Sequence, residues 1–503
     1  MRRPVPRSAR GSALVFAPRW LTKKRPPKFA ALRNIATFVH INLHNYRLSM
    51  KKFILLIAAF ALSFQAMAEG FQVNNLSARQ SGMAHVGTGM ILGAESTWFN
   101  PGALVMQNSI LDVSAGFSGI LSNVKFADDD YNASTDNPMS IPFYAYASVR
   151  PMKWFALGLA FNTPHTSSIN WGNDWEGASL CQNASINQYN LQPTLAVRIG
   201  EQVAIGAGLM IAWGDFSFSR SMLPVGGFTN GEFSDLLDNV DLAVNGGNLA
   251  SLQVSGSAKT AYGFNAGIFW TPNKTFSVGV SYRHRLKMKV EDGSAALLFA
   301  DNEATQKYLP ELLAQATGLD SELLSQSTIS TELVTPGVIS AGFNVSLLNI
   351  LDIAADVQYN LWSAYDQMSI YLNTPDGQIE LTDATTADKD YRNTFTGRLG
   401  VQVSPVGWLA ARVGVSCDQS PVRDGHLSPE MPSMSTFGIT AGLSFRFIKL
   451  LHLDLSYGYS APFDGSRAGF AEYIHNFTDE IKQFAGTYSS EAHTFSVGLR
   501  VSF

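Results

Sequence analysis

Apolar and polar residues alternate along most of the chain that follows residue 110. The clearest run has apolar residues at Leu351, Ile353, Ala355, Val357, Tyr359 and Leu361 and polar residues at Asp352, Asp356, Gln358 and Asn360. Because successive side chains of a β-strand point to opposite faces, this spacing predicts strands with one apolar and one polar face. After residue 68 no stretch is long and apolar enough to cross a membrane as a helix of ~20 residues.

The composition of the two faces distinguishes a membrane barrel from a soluble β-sandwich, which would show the same alternation. The polar face is rich in Gly, Ser and charged residues, as at Gly206 and Gly208, which is typical of a water-filled lumen. The apolar face carries aromatic residues near the strand ends, and the final strand alternates up to the terminal Phe503. A closed barrel also removes unpaired strand edges, which lipid cannot hydrogen-bond. The pattern therefore favours a barrel in a membrane.

Connections between the predicted strands alternate in length. Short turns fall near residues 151–153, 200–201, 271–274, 347–349, 404–406 and 448–449, and long loops near 123–140, 164–185, 217–250, 291–331, 371–390, 418–433 and 461–490. These connections predict an all-β fold, a transmembrane antiparallel β-barrel of about 14 strands. Helical periodicity predicts short helices in residues 297–324 and 234–244, whose apolar faces either pack within the loops or receive a ligand.

The beginning of the chain reads as two segments that precede the folded protein. Residues 1–49 contain no acidic residue, and Met50 opens a bacterial signal peptide with a charged region, an apolar region and a small-residue cleavage site at Ala66–Ala68. We expect translation to start at Met50, so that residues 1–49 are an upstream extension and residues 50–68 the signal peptide. A dual-targeting extension is the alternative. A peptide from the unprocessed protein that maps before Met50 would contradict the expectation.

The charge and the cysteines of the remaining chain exclude several functions. Residues 1–68 hold 13 of the 36 basic residues and none of the 40 acidic ones, so residues 69–503 have a formal charge of −17. Nucleic acid is therefore not expected as a partner. Export permits a disulfide between Cys181 and Cys417, but their spacing does not establish one, and it fits no metal site. We expect no metal, cofactor or catalytic residue.

The segment before the first predicted strand has a composition of its own. Residues 69–103 contain Gly82, Gly87, Gly89, Gly93 and Gly102, small polar residues, and a few aromatic ones. Such a segment suits neither a helix nor a strand, because glycine permits turns and close approach that other residues do not. We predict that residues 69–108 form a hatch that plugs the lumen and that residues 109–503 form the barrel. An ordinary exported tail is the alternative.

The whole chain after the signal peptide resembles the FadL/TodX family of outer-membrane transporters. The resemblance depends on Gly70-Phe71-Gln72 and Asn100-Pro101, and on residues 262–287 and 333–345, the latter followed by Asp356 and Trp362-Ser363. The best match is residues 398–422, with Asp418 and Ser420-Pro421. The family's Asn-Pro-Ala reads Asn-Pro-Gly-Ala here, which leaves the turn at the end of the plug open. The terminal aromatic strand also resembles the signal that the barrel assembly machinery recognises, and the family implies the outer membrane of a Gram-negative bacterium.

The resemblance implies a mechanism as well as a fold. Family members are monomeric barrels that take up hydrophobic small molecules, either fatty acids or hydrocarbons, while in contact with outer-membrane lipid and lipopolysaccharide. Outer loops catch the substrate, the hatch shifts, and a kink in the third strand opens a lateral exit into the membrane. Here that strand is predicted at residues 154–163, and Pro164 either interrupts its pairing or simply ends it.

Candidate substrate contacts come from the hatch and from one strand. Arg283, Arg285 and Lys287 have period-two spacing that, with Lys289, predicts one lumen-facing basic surface, on which arginine could hold a carboxylate. The alternative is that these cations balance lumen acids such as Asp352 and Asp356 or touch lipopolysaccharide. On the hatch, the candidate contacts are Phe71, Trp98 and Phe99, and the candidate gating residues are Gly70, Asn100, Pro101 and Gly102. Trp98 and Phe99 could equally fix the hatch to the wall.

These observations together predict a channel for passive uptake of hydrophobic molecules, most of all long-chain fatty acids. Uptake of monoaromatic hydrocarbons is an alternative within the same family, and a general diffusion porin is the alternative outside it. An outer-membrane enzyme would need a nucleophile beside a base, and no set of Ser and His is marked out by spacing. An adhesive barrel would need no plug.

Overall fold

A computed structural model describes residues 71–224, 248–301, 306–307, 309–311, 314, 321–348, 350–381, 389–474 and 481–503. These residues belong to one compact unit, Ala66–Phe503. The upstream extension, the signal peptide, Gly70 and the helix predicted at residues 234–244 lie outside the described residues.

Twenty strands make up 64% of the described structure. They are β1 Leu111–Ala127, β2 Asn132–Ser134, β3 Phe143–Met152, β4 Phe155–Asn170, β5 Asn183–Ile199, β6 Val203–Pro224, β7 Asn248–Trp270, β8 Phe276–Arg283, β9 Leu286–Phe299, β10 Thr328–Thr335, β11 Gly337–Leu347, β12 Leu351–Leu361, β13 Tyr371–Thr374, β14 Gly377–Glu380, β15 Thr394–Val406, β16 Leu409–Asp418, β17 Thr436–Arg446, β18 Leu451–Pro462, β19 Arg467–Ile474 and β20 Ile481–Ser502.

Within the part of the chain that the structure describes, fourteen strands close an antiparallel ring. Its order is β1, β3, β4, β5, β6, β7, β8, β11, β12, β15, β16, β17, β18 and β20, and β20 pairs again with β1. The short connections of the ring contain two to five residues and lie where the sequence predicted turns. The predicted barrel of about 14 strands is therefore confirmed.

The remaining six strands, β2, β9, β10, β13, β14 and β19, extend the ring on the side of the long loops. Strands β8 and β9 are separated by two residues, and β10 and β11 by Pro336 alone, so each pair forms one interrupted strand. Of the helix predicted over residues 297–324, the described part shows a strand up to Phe299, helical residues at 306–307, 309–311 and 314, and a helix at Ser321–Gln326. At its start the prediction is wrong, because residues 297–299 pair with β7.

The alternation seen in the sequence corresponds to the two faces of the ring. In β6, Ala204, Gly206 and Met210 are buried, whereas Ile205 and Leu209 between them are exposed. The same arrangement holds in the other ring strands, which leave aliphatic and aromatic side chains on the outer surface. An apolar outer surface is the expected surface for a barrel that contacts lipid.

The N-terminal segment, residues 71–107, contains short helices. They are α1 (Ala78–Ser81), a 3₁₀ helix at Gly93–Glu95, α2 (Ser96–Phe99) and a 3₁₀ helix at Pro101–Met106; α3 (Ser321–Gln326) and a 3₁₀ turn at Trp362–Ala364 lie in the outer loops. Ser77 caps α1 by accepting a hydrogen bond from the Gln80 amide, and the Asn100 side chain caps the following helix at Gly102. Among the described residues, no helix has the length and apolarity needed to cross a membrane.

The N-terminal segment contacts strands on opposite sides of the ring and therefore lies inside it. Helix α1 packs on β17, β18 and β20, the turn at Gly93–Glu95 on β1 and β3, and the helix at Pro101–Met106 on β4 to β7. A Cβ added at Gly279 would overlap the Thr88 carbonyl oxygen, and one at Gly206 would overlap Pro101. The polar, glycine-rich face predicted to line a wet lumen thus makes room, at these positions, for packed polypeptide.

Candidate substrate path

Among the predicted contacts, Arg283, Trp98 and Phe99 come together inside the ring. The Arg283 Cζ atom lies 3.5 Å from the centroid of the Trp98 ring, and Arg283 Nη2 donates to the Trp98 carbonyl oxygen at 3.3 Å. Trp98 and Phe99 are buried. A guanidinium over an indole ring is attracted by the ring quadrupole, most strongly where water is excluded. Arg283 therefore holds α2 of the N-terminal segment against β8.

The space beside this contact is too small for a substrate. A cavity of about 10 Å³ is lined by Trp98, Phe99, Arg283, His85 and Gln358, among others. That volume is close to the minimum for a single water molecule. Trp98 and Phe99 consequently act in this conformation as contacts between the segment and the wall, and their role in substrate binding stays a prediction.

The prediction that Arg283, Arg285, Lys287 and Lys289 share one lumen-facing surface is wrong. Residues Leu286, Met288 and Val290 are buried in an apolar cluster, and Arg285, Lys287 and Lys289 are exposed on the other face of β9. The break after Arg283 reverses the phase, because odd-numbered side chains are buried in β8 and even-numbered ones in β9. Lys287 pairs with Glu332 at 2.7 Å. Substrate contact by Arg285 and Lys287 stays a prediction.

Phe71 occupies a different place, beneath the outer loops. Its ring packs edge-on against Trp362, His165 and Tyr365 at centroid distances of 5.1, 5.5 and 6.0 Å. The surrounding cluster includes loop residues Trp171, Trp175, Tyr391, Val422 and Leu427. The apolar groups of these outer loops therefore pack together over the beginning of the N-terminal segment.

The segment continues from Phe71 as a short edge strand on β4. The Val73 amide donates to the Pro164 carbonyl at 2.9 Å, and the Thr166 amide donates to the Phe71 carbonyl at 3.2 Å. At this point β4 has lost its other partner, because its ladder with β3 ends at Asn162. The N-terminal segment thus closes an interruption in the wall, which we call the β4 seam (residues 163–168 of β4).

The β4 seam coincides with an irregularity in the strand. The register between β4 and β5 shifts between Asn162 and His165, so Pro164 lies at a bulge and the strand continues to Asn170. The third strand predicted at residues 154–163 is therefore longer than expected, and of the two readings of Pro164 the interruption of pairing is correct. A bulge leaves a residue unpaired and bends the strand.

Two cavities of about 290 Å³ each border the β4 seam. The inner cavity is lined by Phe71 and Val73 of the segment together with Arg398, Thr436 and Thr494 of the opposite wall. The wall cavity lies between residues 138–143 and strands β4 and β5. Thr166 and Ser167 belong to both linings. The seam is consequently the shortest connection between the interior and the wall at this level.

The predicted gating residues fix the end of the segment to β6 and β7. Asn100 Nδ2 donates to the Thr88 carbonyl at 2.9 Å and to the Ile268 carbonyl at 3.1 Å, and Asn100 Oδ1 accepts from the Gly102 amide. A Cβ at Gly102 would lie 2.9 Å from the Gly267 carbonyl oxygen. The sequence Asn-Pro-Gly-Ala thus fits a place where the backbone passes very close to the wall.

Sequence reasoning missed the acid that holds the middle of the segment. Asp356 Oδ2 accepts hydrogen bonds from the amides of Gly87 and Thr88 at 2.8 and 2.9 Å. In the alternative reading of the basic residues, their charges balance Asp352 and Asp356. Asp352 instead accepts a hydrogen bond from Gln402 at 2.9 Å. A carboxylate that accepts two backbone amides forms strong, charge-assisted bonds. The only signal for this role of Asp356 in the sequence is its position on the polar face of β12.

Buried charges surround the inner side of the segment. Arg412 Nη1 lies 3.6 Å from Asp454 Oδ1, and Arg398 donates to Asn74 at 2.8 Å and lies 4.0 Å from Asp418. The alternation of the sequence predicts inward-facing pairs for Arg398, Arg412 and Arg446, and for Arg398 and Arg412 this is confirmed. For Arg446 the prediction is wrong, because Arg446, the last residue of β17, is exposed.

Three titratable groups lie within the segment, Arg79, His85 and Glu95, and burial shifts the pKa of each toward its neutral form. Burial raises the pKa of Glu95 to about 7, although Arg79 and Arg500 oppose the shift, and Glu95 Oε2 accepts from the Ser77 hydroxyl at 2.9 Å. Burial, reinforced by Arg398 and Arg283, lowers the pKa of His85 well below its ordinary value. Its Nε2 accepts from the Leu76 amide at 3.2 Å.

Over the described residues, no group of three His, Cys, Asp or Glu is arranged to hold a metal ion. Cys181 and Cys417 are both free thiols, the first buried and the second exposed.

Comparison with known proteins gives consistent results. A family model described as outer membrane protein transport protein (OMPP1/FadL/TodX) matches residues 59–503. The long-chain fatty acid transport protein of Escherichia coli K12 is 22% identical over 437 residues, which cover 81% of this chain and 91% of that protein. Outer membrane protein P1 of Haemophilus influenzae is 22% identical over 494 residues, 90% and 100% of the two chains.

Solved structures share the fold. A Pseudomonas aeruginosa FadL homologue has a TM-score of 0.67 at 18% identity, covering 86% of this chain and all of that one. The Pseudomonas putida toluene transporter TodX has a TM-score of 0.59 at 14% identity, with the same coverage. At these identities the likeness concerns the barrel architecture and leaves the substrate undecided.

Proposed function

Because the chain belongs to the OMPP1/FadL/TodX family of outer membrane transport proteins, we propose that it takes up long-chain fatty acids passively. The family is one of transport channels for hydrophobic molecules in the outer membrane of Gram-negative bacteria, and not one of enzymes. In this proposal the substrate enters from the outer loops, the N-terminal segment acts as a movable hatch, and the substrate leaves sideways through the β4 seam.

The observation that carries the proposal is the closure of the β4 seam by the N-terminal segment. Two backbone hydrogen bonds, from Val73 to Pro164 and from Thr166 to Phe71, bind the segment to this edge. Each such bond contributes about 1 kcal/mol net, so a modest shift of residues 71–73 is enough to free the edge. Movement of the segment would then join the inner cavity to the wall cavity.

Phe71 offers a way for substrate to cause that movement. Its ring is packed among loop residues Trp362 and Tyr365 on one side and faces the inner cavity on the other. An apolar chain that enters the inner cavity competes with these contacts for the ring. Because Phe71 is two residues from Val73, a displaced ring pulls directly on the hydrogen bond to Pro164.

Two observations support an acid over a neutral hydrocarbon. The curated relatives with broad coverage include proteins named for long-chain fatty acid transport. The inner cavity also has a cation in its lining, Arg398, beside the apolar Phe71 and Val73. Arginine can hold a carboxylate while an alkyl chain contacts the apolar side chains. Monoaromatic hydrocarbons remain the second candidate, since toluene transporters share the fold.

A general diffusion porin is disfavoured by the filled interior, because the N-terminal segment contacts the ring on several sides. A monomeric state, and contacts with lipopolysaccharide and the barrel assembly machinery, belong to the same proposal through the family resemblance and stay predictions.

The test is uptake by a strain that lacks its own outer-membrane fatty acid transporter and expresses this protein. Oleate and toluene are compared, together with a variant that lacks residues 70–103 and is checked for insertion in the outer membrane. Uptake of oleate that is lost with the segment supports a gated acid channel. Uptake of toluene alone moves the substrate to neutral hydrocarbons. Uptake of neither, with high ion conductance of the intact protein in a planar bilayer, favours a porin.

A further inference from the structure

A second interruption of the wall lies between β7 and the strand that follows it. Residues Asn265–Trp270 of β7 pair with β8, and residues Ala250–Ser255 pair with β9. The intervening residues 256–264 belong to neither ladder. One backbone hydrogen bond, from the His284 amide to the Phe264 carbonyl at 2.8 Å, marks the end next to β8. We call this interruption the β7–β9 slot (residues 256–264 facing 284–293).

Apolar side chains fill the slot. A Cβ added at Gly263 would lie 2.8 Å from Leu286 Cδ2, and one at Gly256 would lie 2.6 Å from Val290 Cγ1. Leu286 and Val290 are themselves almost completely buried. Closure of the slot therefore depends on two aliphatic side chains that pack onto two glycines. On either side of the slot, by contrast, β7 is joined to its neighbour by a hydrogen-bonded ladder.

The strands that carry these side chains are joined to the ring through two breaks. Strand β8 ends at Arg283 and β9 begins at Leu286; β10 ends at Thr335 and β11 begins at Gly337. The two breaks lie side by side, because Leu286 pairs with Thr335. Pro336, in the second break, has no amide to contribute to a ladder. Two neighbouring strands are therefore interrupted at the same level, beside the end of the slot next to β8.

Behind the slot lies apolar surface inside the ring. Leu286, Met288 and Val290 pack with Met210 of β6 and Ala261 of β7 in one buried cluster. Met210 is on the same buried face of β6 as Gly206, which abuts Pro101 of the N-terminal segment. A molecule that passed the slot would meet apolar side chains in this cluster, including the aromatic ring of Phe216.

The outer side of the slot carries one ion pair and exposed aromatic residues. Lys259 of β7 binds Glu291 of β9 across the interruption, and its ammonium lies 3.8 Å from Asp292. All three side chains are about half exposed or more, so this pair contributes little stability. Tyr262 and Phe264 are exposed on the adjoining part of β7. Exposed aromatic residues on a barrel mark the level of the membrane interface.

We propose that the β7–β9 slot is a substrate site, a second side opening through which the apolar chain of the substrate reaches the interior cluster. The proposal rests on the proposed uptake function and adds an inward route at the membrane interface. The occupant is an alkyl chain, because the slot is lined by Leu286, Val290 and Ala261. Leu286 and Val290, which have to move aside for it, pack on glycines. The strand opposite β7 bows outward between its two ladders, which stay paired, and the Lys259–Glu291 pair separates.

The experiment locks the slot with a reversible bridge. Cys181→Ser and Cys417→Ser remove the native thiols; Lys259→Cys and Glu291→Cys are then joined by a short bis-methanethiosulfonate reagent. The matched control joins Ser255→Cys and Ser294→Cys, which are ladder partners on the same two strands. We expect the 259–291 bridge to lower the initial rate of oleate uptake about fivefold or more, as locking of a gate should. Reduction should restore the rate, and the control bridge should leave it unchanged.

A second readout separates the slot from the transport function. An aryl-diazirine hydrocarbon is photolysed on the protein in outer-membrane vesicles, and labelled peptides are identified by mass spectrometry. Labelling at residues 286–290 that disappears with the 259–291 bridge and persists with the 255–294 bridge supports the slot even if oleate is not the substrate. Complete bridging at 259 and 291 that leaves both oleate uptake and labelling unchanged overturns the proposal. Absence of oleate uptake in the unbridged protein contradicts the proposed function instead.

Discussion

The two interruptions of the barrel wall are closed by different chemical groups. At the β4 seam the closing groups are backbone amides and carbonyls of residues 71–73, which belong to the N-terminal segment. At the β7–β9 slot they are side chains of the wall itself, Leu286 and Val290. A hydrogen-bonded edge is satisfied only while its partner stays in place. The β4 seam therefore depends on the N-terminal segment, whereas the slot does not, and the two can open separately.

The linings differ in the same way as the closures. The wall cavity at the β4 seam is bordered by Thr163, Thr166, Ser167 and Asn187, among others, whereas the cluster behind the slot is apolar and mostly aliphatic. A polar lining holds an apolar chain weakly, and an aliphatic lining holds it well, because only the second gains by excluding water. In the proposed path, substrate is collected on the aliphatic side and released on the polar side.

Among the substitutions that test this comparison, Gly279→Val is expected to have the largest effect, on the docking of the N-terminal segment. The new side chain overlaps the Thr88 carbonyl, and overpacking against backbone costs about 3 kcal/mol. The fraction of protein with a displaced N-terminal segment should therefore rise roughly a hundredfold. Ion conductance in planar bilayers should rise accordingly. Gly397→Val is the control, because no atom lies within 4 Å of a Cβ at that ring position. Labelling of Ala261→Cys, behind the slot, should not change; an increase would show that the segment also closes the slot.

A smaller effect is expected when one hydrogen bond of the β4 seam is removed. Val73→Pro deletes the amide that donates to the Pro164 carbonyl, and Val73→Ala keeps it while losing a similar apolar contact. The lost bond and the unpaired carbonyl cost about 2 kcal/mol, so a thiol at Thr163→Cys should react roughly thirtyfold faster with a maleimide in the proline variant. Equal rates in the two variants would mean that the segment does not close the seam.

The barrel itself could be predicted from the sequence, since alternation in Leu351–Leu361 and a polar–apolar last strand depend only on period two. Which face a side chain occupies could be predicted only where the ladder is continuous. At the break after Arg283 a shift of one residue turned Leu286 and Met288 inward and Lys287 outward, and nothing in the local composition announces such a shift. Likewise, glycine on the inner face indicates space, but only the folded chain shows that residues 71–107 fill it.

Removal of the Arg283 cation is expected to destabilise the docked segment as much as the loss of the Val73–Pro164 hydrogen bond, or slightly less. Arg283→Met removes the cation over the Trp98 ring and a hydrogen bond to the Trp98 carbonyl, which together stabilise the docked segment by about 1 to 2 kcal/mol. Spontaneous channel openings should therefore become roughly tenfold more frequent. Arg285→Met, on an exposed side chain two residues away, should leave the openings unchanged. If both variants instead raise the Michaelis constant for oleate equally, the two arginines act on substrate and not on the segment.

The smallest expected effect is a dependence on pH that acts only through the N-terminal segment. Burial raises the pKa of Glu95 to about 7, so the docked segment binds a proton that the released segment, with an ordinary carboxyl pKa near 4.5, gives up. Docking is then fully stabilised below the ordinary pKa and weakens as the pH rises through 7, by about 1 kcal/mol between pH 6 and 7. Channel openings should become more frequent over that interval, and Glu95→Gln, which retains a neutral carbonyl to accept from the Ser77 hydroxyl, should remove the dependence. Glu95 lies in the N-terminal segment and not at the slot, so alkyl labelling at residues 286–290 should stay constant over the same interval. A pH dependence of labelling that follows the channel openings would mean that the two interruptions share one gate.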